Sequence, residues 1–165
     1  MRTLAILLLA ITPLFVFSQG STNSEINWIS LKEAKGLAKK HNQKILIFFY
    51  KKNCPYCEQM KKETLRNPNV IDIINRNFFA VRLDSRTKDT IYYNNIAYSN
   101  QQPIEHGYTW RHDFYFEVAA YSRNGTSQIT TPTIVLFNNK FQKIGAMPGN
   151  HPKELLLRKI QQYIK

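Results

Sequence analysis

The sequence predicts an α/β domain, and three observations predict it. Segments with apolar residues at helical spacing alternate along the chain with short unbroken apolar runs, the pattern of helices packed on a sheet. One such run, Ile45-Leu46-Ile47-Phe48-Phe49-Tyr50, has the length and composition of a strand buried on both faces. Directly after it stand the only two cysteines of the chain, in Cys54-Pro55-Tyr56-Cys57, where a strand gives way to a helix.

The 165 residues open with Met1-Arg2-Thr3, an almost wholly apolar stretch from Leu4 to Phe17, and Val16-Phe17-Ser18 ahead of Gln19. One positive charge, a short apolar run and a small residue at its end read as a secretory signal over residues 1–18. The run is interrupted by Thr12 and Pro13 and is shorter than the roughly 20 apolar residues that span a bilayer, which speaks against an uncleaved anchor. The mature protein is expected to be exported, periplasmic or secreted, in a compartment where disulfides persist. Residues 19–27 read as a polar lead-in and 28–165 as one domain, long enough to bury a core without disulfide staples.

Within that domain, Ser30 and Glu33 form a capping box for a helix carrying Leu31, Ala34, Leu37 and Ala38, which ends near His41-Asn42. After the Ile45–Tyr50 strand, Pro55 preorganises the first turn of a helix that runs to about Leu65 and stops before Asn67-Pro68. A short helix is expected over Asn69–Asn75, with Val70, Ile73 and Ile74 on one face, and a strand over Phe78–Leu83. Residues 84–112, rich in Tyr, Asn and Gln and without a sustained period, read as an insertion. Asp113 caps a helix to about Tyr121, bearing Phe114, Val118 and Tyr121 inward and ended by Asn124-Gly125. Thr131-Pro132 then leads into a strand over Thr133–Phe137, a turn at Asn138-Asn139 and a partner strand over Phe141–Ala146. A last amphipathic helix is expected from Pro152 to Ile164, with Leu155, Leu156, Ile160 and Tyr163 inward.

A formal net charge of +12 favours encounter with acidic partners. The lysines are scattered rather than clustered, so the charge reads as a solvated basic surface and not as a nucleic-acid site. Two thiols separated by two residues at a helix start are the layout of a dithiol redox centre. Thiolate is the nucleophilic form, and unpaired backbone N–H groups at a helix N-terminus stabilise it at Cys54. Lys51 and Lys52 add positive charge next to it, although exposed lysines are screened.

The succession helix, strand, CxxC helix, helix, strand, helix, Thr-Pro, strand, strand, helix resembles the thioredoxin superfamily over nearly the whole mature chain. The residues that carry the resemblance are Ile45–Phe49, Cys54-Pro55-Tyr56-Cys57, Thr131-Pro132-Thr133 and Met147-Pro148-Gly149. It is most similar to exported bacterial thioredoxin-like proteins related to the C-terminal domain of the membrane thiol:disulfide interchange protein and to periplasmic sulfur-oxidation thioredoxins. The resemblance implies a central mixed β-sheet flanked by helices, with the insertion lying before the helix that precedes a cis-proline loop at Pro132. It also implies a monomeric thiol:disulfide oxidoreductase without cofactor or metal, in which Cys54 attacks and the more buried Cys57 resolves the mixed disulfide. Thr131, Pro132, Pro55 and Tyr56 are the implied substrate contacts, and a membrane electron donor the implied partner of a reductase acting on protein disulfides.

Two positions depart from the family pattern. Phe48 stands where a buried acidic residue assists the resolving cysteine, with Glu58 the nearest carboxylate in sequence, and Asn53 replaces the usual aromatic residue before Cys54. Three other readings compete. An oxidase or isomerase uses the same parts in the opposite direction. A zinc site from Cys54, Cys57, His106 and His112 is opposed by the long spacing and by the proline within the motif. A non-enzymatic binding module would use Tyr92, Tyr93, Tyr98, Tyr108, Trp110 and Arg111 of the insertion as its surface. Asn124-Gly125-Thr126 is a glycosylation sequon, meaningful only in a eukaryotic secretory pathway.

Overall fold

The structure, a computed structural model, describes residues 24–100 and 110–164. The signal expected at 1–18, and His106 and Tyr108 of the insertion, lie outside the described residues. Strand β1 (Trp28–Ile29) precedes helix α1 (Leu31–His41). Ser30 Oγ accepts from the Glu33 N–H at 3.2 Å, as the capping box predicts, and Asn42 ends the helix in the left-handed region at φ 52°. Strand β2 (Lys44–Tyr50) leads to helix α2 (Pro55–Gln59), which widens into a π-helical stretch, Met60–Thr64. Helix α3 (Pro68–Asn77) extends beyond the 69–75 expected, because the Asn67 carboxamide oxygen caps its first turn. Strand β3 (Phe78–Asp84) follows.

Within the insertion, the described residues include a hairpin, β4 (Ile91–Tyr93) and β5 (Ile96–Tyr98). Its turn residues Asn94 and Asn95 take φ 50° and 63°, the paired left-handed conformation of a two-residue hairpin loop. Helix α4 (Asp113–Ala119) is shorter than expected and is capped by His112 rather than Asp113, through His112 Nδ1 and the Phe114 N–H at 3.0 Å. Tyr121 lies outside it. Asn124-Gly125 is a hairpin turn between β6 (Tyr121–Arg123) and β7 (Thr126–Gln128), with φ 51° and 74°. The expectation of a helix ended by Asn-Gly fails because these residues suit a two-residue hairpin loop equally well. Strands β8 (Thr133–Phe137) and β9 (Lys143–Pro148) and helix α5 (Lys153–Gln161) complete the chain. On α5, Leu156 and Ile160 are buried as expected; Leu157, not Leu155, packs beside them.

The main sheet has the order β1-β3-β2-β8-β9. β2 runs parallel to β3 and antiparallel to β8, so the sheet is mixed, with helices on both faces. Its central strand explains the unbroken apolar run. Leu46 and Phe48 enter one core with Met60, Val70, Ile74 and Ile160, while Ile45, Ile47 and Phe49 enter the other with Ala34, Phe114, Tyr115 and Val118. Ile45 through Phe48 have 0% exposure, and burying each such side chain contributes about 1.5–3 kcal/mol. The rigid centre therefore ends, at Tyr50, four residues before Cys54. Among the described residues, no helix is long and apolar enough to cross a membrane.

Candidate active site

Cys54 and Cys57 are joined by a disulfide, with Cα atoms 5.2 Å apart. Asn53, at φ 54°, turns the chain out of β2, a conformation that asparagine tolerates better than an aromatic or β-branched residue. Cys54 is the N-cap of α2 with extended backbone, and Pro55 occupies the first helical turn. In this position Cys54 Sγ accepts the Cys57 backbone N–H at 3.2 Å. The same donor is aimed at a negative charge when the bond is reduced, so the cap geometry favours thiolate at Cys54. Both cysteines are buried, Cys57 fully and Cys54 at 3% exposure. Pro55 and Tyr56 between them are exposed, Tyr56 at 64%.

The Thr131-Pro132 peptide is cis. The Thr131 carbonyl oxygen lies 3.6 Å from Cys54 Sγ and its Oγ1 4.0 Å away, so the loop faces the disulfide across a separation of 77 residues in sequence. Three contacts brace it. The Gly149 N–H donates to the Pro132 carbonyl at 2.8 Å, Thr133 Oγ1 to the Thr130 carbonyl at 2.5 Å, and the Tyr115 hydroxyl donates to that same carbonyl. Burial raises the Tyr115 phenol above its ordinary value, which keeps it a donor. Cys54, Cys57, Pro55, Tyr56, Thr131 and Pro132 are thus brought to one end of the sheet. Gly149 belongs to the Met147-Pro148-Gly149 segment that carries the family resemblance, whereas the sequence gives Tyr115 no role at the site; its helical position marks it as core and carries no trace of where its hydroxyl ends.

Phe48 is fully buried, its ring stacked near Tyr50 at 6.4 Å and tilted toward Trp28 at 6.2 Å. No carboxylate takes its place on that strand. Glu58 is exposed and paired with Lys61 at 2.8 Å, and this bond lowers its pKa, making it a weak base toward Cys57. His112 uses both ring nitrogens: Nδ1 caps α4, and Nε2 lies 2.8 Å from the Asp89 carbonyl oxygen. It is a positioning group for the insertion, and its geometry gives no support to the zinc reading. The aromatic residues of the insertion divide. Tyr93 is buried edge-on against Phe137 and Phe141, at 6.0 and 5.6 Å, while Tyr92 and Trp110 remain exposed at 64% and 42%.

The segments that carry Arg86 and Arg111 also lie at this end of the molecule. The Ser85 N–H donates to the Tyr50 carbonyl and the His112 N–H to the Ser85 carbonyl, both at 2.7 Å, which stitches both segments to the end of β2. Arg86 lies 4.0 Å from the Asp84 carboxylate. Arg111 is half-buried, and this burial, together with the charge of Arg86, lowers its pKa.

Comparison with solved structures gives the same architecture. A thioredoxin from Thermus thermophilus superposes with a TM-score of 0.57 at 22% identity, covering 85% of this chain and 87% of that one. The DsbH oxidoreductase gives 0.58 at 15% identity, covering 97% and 94%. The reduced DsbD C-terminal domain of Neisseria meningitidis gives 0.51 at 16%, covering 80% and 92%. At these identities the likeness is one of fold. No curated protein matches the chain. The thioredoxin-like domain model matches residues 31–164, a span that holds the paired cysteines, the cis-proline loop and the whole of α5, and the chain belongs to that thioredoxin-like family.

Proposed function

We propose that the protein is an exported thiol:disulfide oxidoreductase that exchanges its Cys54–Cys57 disulfide with the thiols of protein substrates. The observation that carries this reading is the Cys54 sulfur at the N-cap of α2, facing the cis Thr131-Pro132 peptide at 3.6 Å. In the oxidising direction a substrate thiolate attacks Cys54 Sγ, the Cys54–Cys57 bond breaks and Cys57 leaves as thiolate. A second substrate thiolate then attacks the substrate sulfur of the mixed disulfide and releases Cys54. Two electrons pass from the substrate dithiol to the protein, and reversal of the steps is reduction. Thr131 offers backbone groups beside the reacting sulfurs for pairing with an extended substrate segment, and Pro55 and Tyr56 supply the exposed surface next to them. The apolar residues 4–17 support export.

For direction, the site supports the oxidising or isomerising reading over the reductase favoured from sequence resemblance. A sulfur at a helix N-terminus that already receives an N–H, next to Lys51 and Lys52, stabilises the reduced form through the Cys54 thiolate. With Phe48 in place of an acid, no carboxylate among the described residues is buried to oppose it. Stabilising the reduced form raises the potential. Equilibration with glutathione is expected to place the pair well above the thioredoxin value of about −270 mV, toward about −120 mV. A value at or below that of thioredoxin would reverse the direction. Cys54→Ser is expected to abolish turnover and Cys57→Ser to accumulate mixed disulfides with substrate proteins; a Cys57→Ser protein that forms no such adducts would remove the exchange mechanism.

A further inference from the structure

Gly149, Asn150 and His151 follow one another between β9 and α5, and each bonds a part of the site. The Gly149 N–H donates to the Pro132 carbonyl at 2.8 Å, from a backbone at φ 90° that glycine adopts readily. Asn150 Nδ2 donates to Gln59 Oε1, at the end of α2, at 2.9 Å. The His151 carbonyl accepts from Thr64 Oγ1 at 2.7 Å, on the π-helical turn that continues α2, where Thr64 is buried. This short strap therefore grips the cis-proline loop at one end and, at the other, the helix that Cys54 caps. The polarity of its middle contact is fixed. A carboxylate such as Glu63 accepts, so Gln59, whose Nε2 bonds Glu63 Oε2 at 3.0 Å, turns its carboxamide oxygen toward Asn150. Asn150 must supply the donor there.

We infer that Asn150 is a positioning residue for exchange with extended protein segments, holding the helix of the paired cysteines in register with the cis-proline loop. This inference rests on the exchange reading above and adds to it what aligns the substrate with the sulfur. A segment that lies along Thr131 is presented to Cys54 at the separation the strap maintains, 3.6 Å between Cys54 Sγ and the Thr131 carbonyl oxygen. Without the Asn150 donor the end of α2 is released from the strap, and the segment meets the sulfur over a wider range of placements. Rate is sensitive to such misplacement, by up to about a hundredfold for about 1 Å. A small dithiol reaches Cys54 without pairing along the loop and is indifferent to it. The Asn150–Gln59 contact lies at the surface, where its loss exchanges one hydrogen bond for another with water and costs the fold little.

The test compares the oxidation of a reduced two-cysteine peptide with that of dithiothreitol by the disulfide-bonded protein; in each case the dithiol gives up two electrons and the Cys54–Cys57 bond is reduced. Asn150→Ala is expected to lower the peptide rate about fivefold while the dithiothreitol rate and the urea midpoint stay at their wild-type values. Asn150→Asp, which keeps the shape and lacks the donor, is expected to match it. Gln59→Ala should do the same, and the double variant Gln59→Ala/Asn150→Ala should be no slower than either single one, because both remove one contact. An Asn150→Ala or Asn150→Asp peptide rate equal to wild type, an equal loss for peptide and dithiothreitol, or losses that multiply in the double variant each overturn the inference, while oxidation of both dithiols by the wild type leaves the exchange reading standing. A wild-type protein that oxidises dithiothreitol and not the peptide also overturns the inference. One that oxidises neither overturns both.

Discussion

The Thr130 carbonyl, which leads into the cis-proline loop, accepts two hydroxyl donors, Tyr115 from α4 and Thr133 Oγ1 from β8 at 2.5 Å. A carbonyl oxygen has two lone pairs, so the donors are partial substitutes for one another. Tyr115→Phe removes one net hydrogen bond, about 1 kcal/mol, and Thr133→Val removes the other at a similar cost. With both gone, this partly buried carbonyl is left without either donor, and the desolvation penalty adds about 1 kcal/mol, the low end of the range for an orphaned acceptor. The double variant is expected to lose about 3 kcal/mol, exceeding the sum of the singles by about 1 kcal/mol. With a urea slope of about 2 kcal/mol/M, each single variant shifts the unfolding midpoint by about 0.5 M and the double by about 1.5 M. Urea titrations of the four proteins in the oxidised state measure the cycle. Strict additivity would refute the view that the two hydroxyls share one acceptor. A single loss above about 3 kcal/mol would mean that packing, not the hydrogen bond, holds the loop.

His151 is 5% exposed, and its Nε2 has no hydrogen-bond partner among the described residues; burial, reinforced by Lys159, lowers its pKa from the ordinary 6.5. Below about pH 6.5 the unfolded chain takes up a proton that the folded chain resists, so stability is expected to fall as pH drops from about 6.5 toward the lowered folded value and to be flat at pH values above the ordinary 6.5. His151→Leu should remove that slope in urea midpoints measured across pH 4.5–8, and an unchanged slope would place the titration elsewhere. At Gly145 an added Cβ would sit 2.5 Å from the Tyr163 ring, so Gly145→Ala is expected to cost about 1–3 kcal/mol. Pairing it with Tyr163→Ala should give a loss smaller than the sum of the two singles, and additivity in thermal unfolding would show that the ring is not the obstacle. Asn53→Val, at φ 54°, is expected to cost about 1–2 kcal/mol while Asn53→Gly is neutral or stabilising, read from the same denaturation curves.

The long, strongly patterned elements were legible because one physical cause dominates each. Ile45–Tyr50 is apolar on both faces because it is the central strand, and Ser30 with Glu33 marks a helix start because the first-turn N–H groups need acceptors. The short elements were not. Trp28–Ile29 is a strand only because β3 lies beside it, and two residues carry no period. The hairpins at 91–98 and 121–128 have three-residue strands, and only their Asn-Asn and Asn-Gly turns mark them. Asn-Gly also suits a helix end, and the helical pattern before it tipped the reading the wrong way. At the site, the cysteines stand out through local sequence, and Thr131-Pro132 only through the family resemblance. Tyr115 acts through a contact that closes only on folding, so its spacing in sequence carries no sign of it.

The disulfide joins residues three apart within a single turn at the start of a helix. Closing so short a loop removes little freedom from the unfolded chain, about 2 kcal/mol at most on the chain-entropy scale, while both cores are built without it. The bond is thus nearly idle as a crosslink. Opening it leaves the two packed faces of the sheet intact, so the protein can pass between its two redox states many times over without wagering its fold on either one.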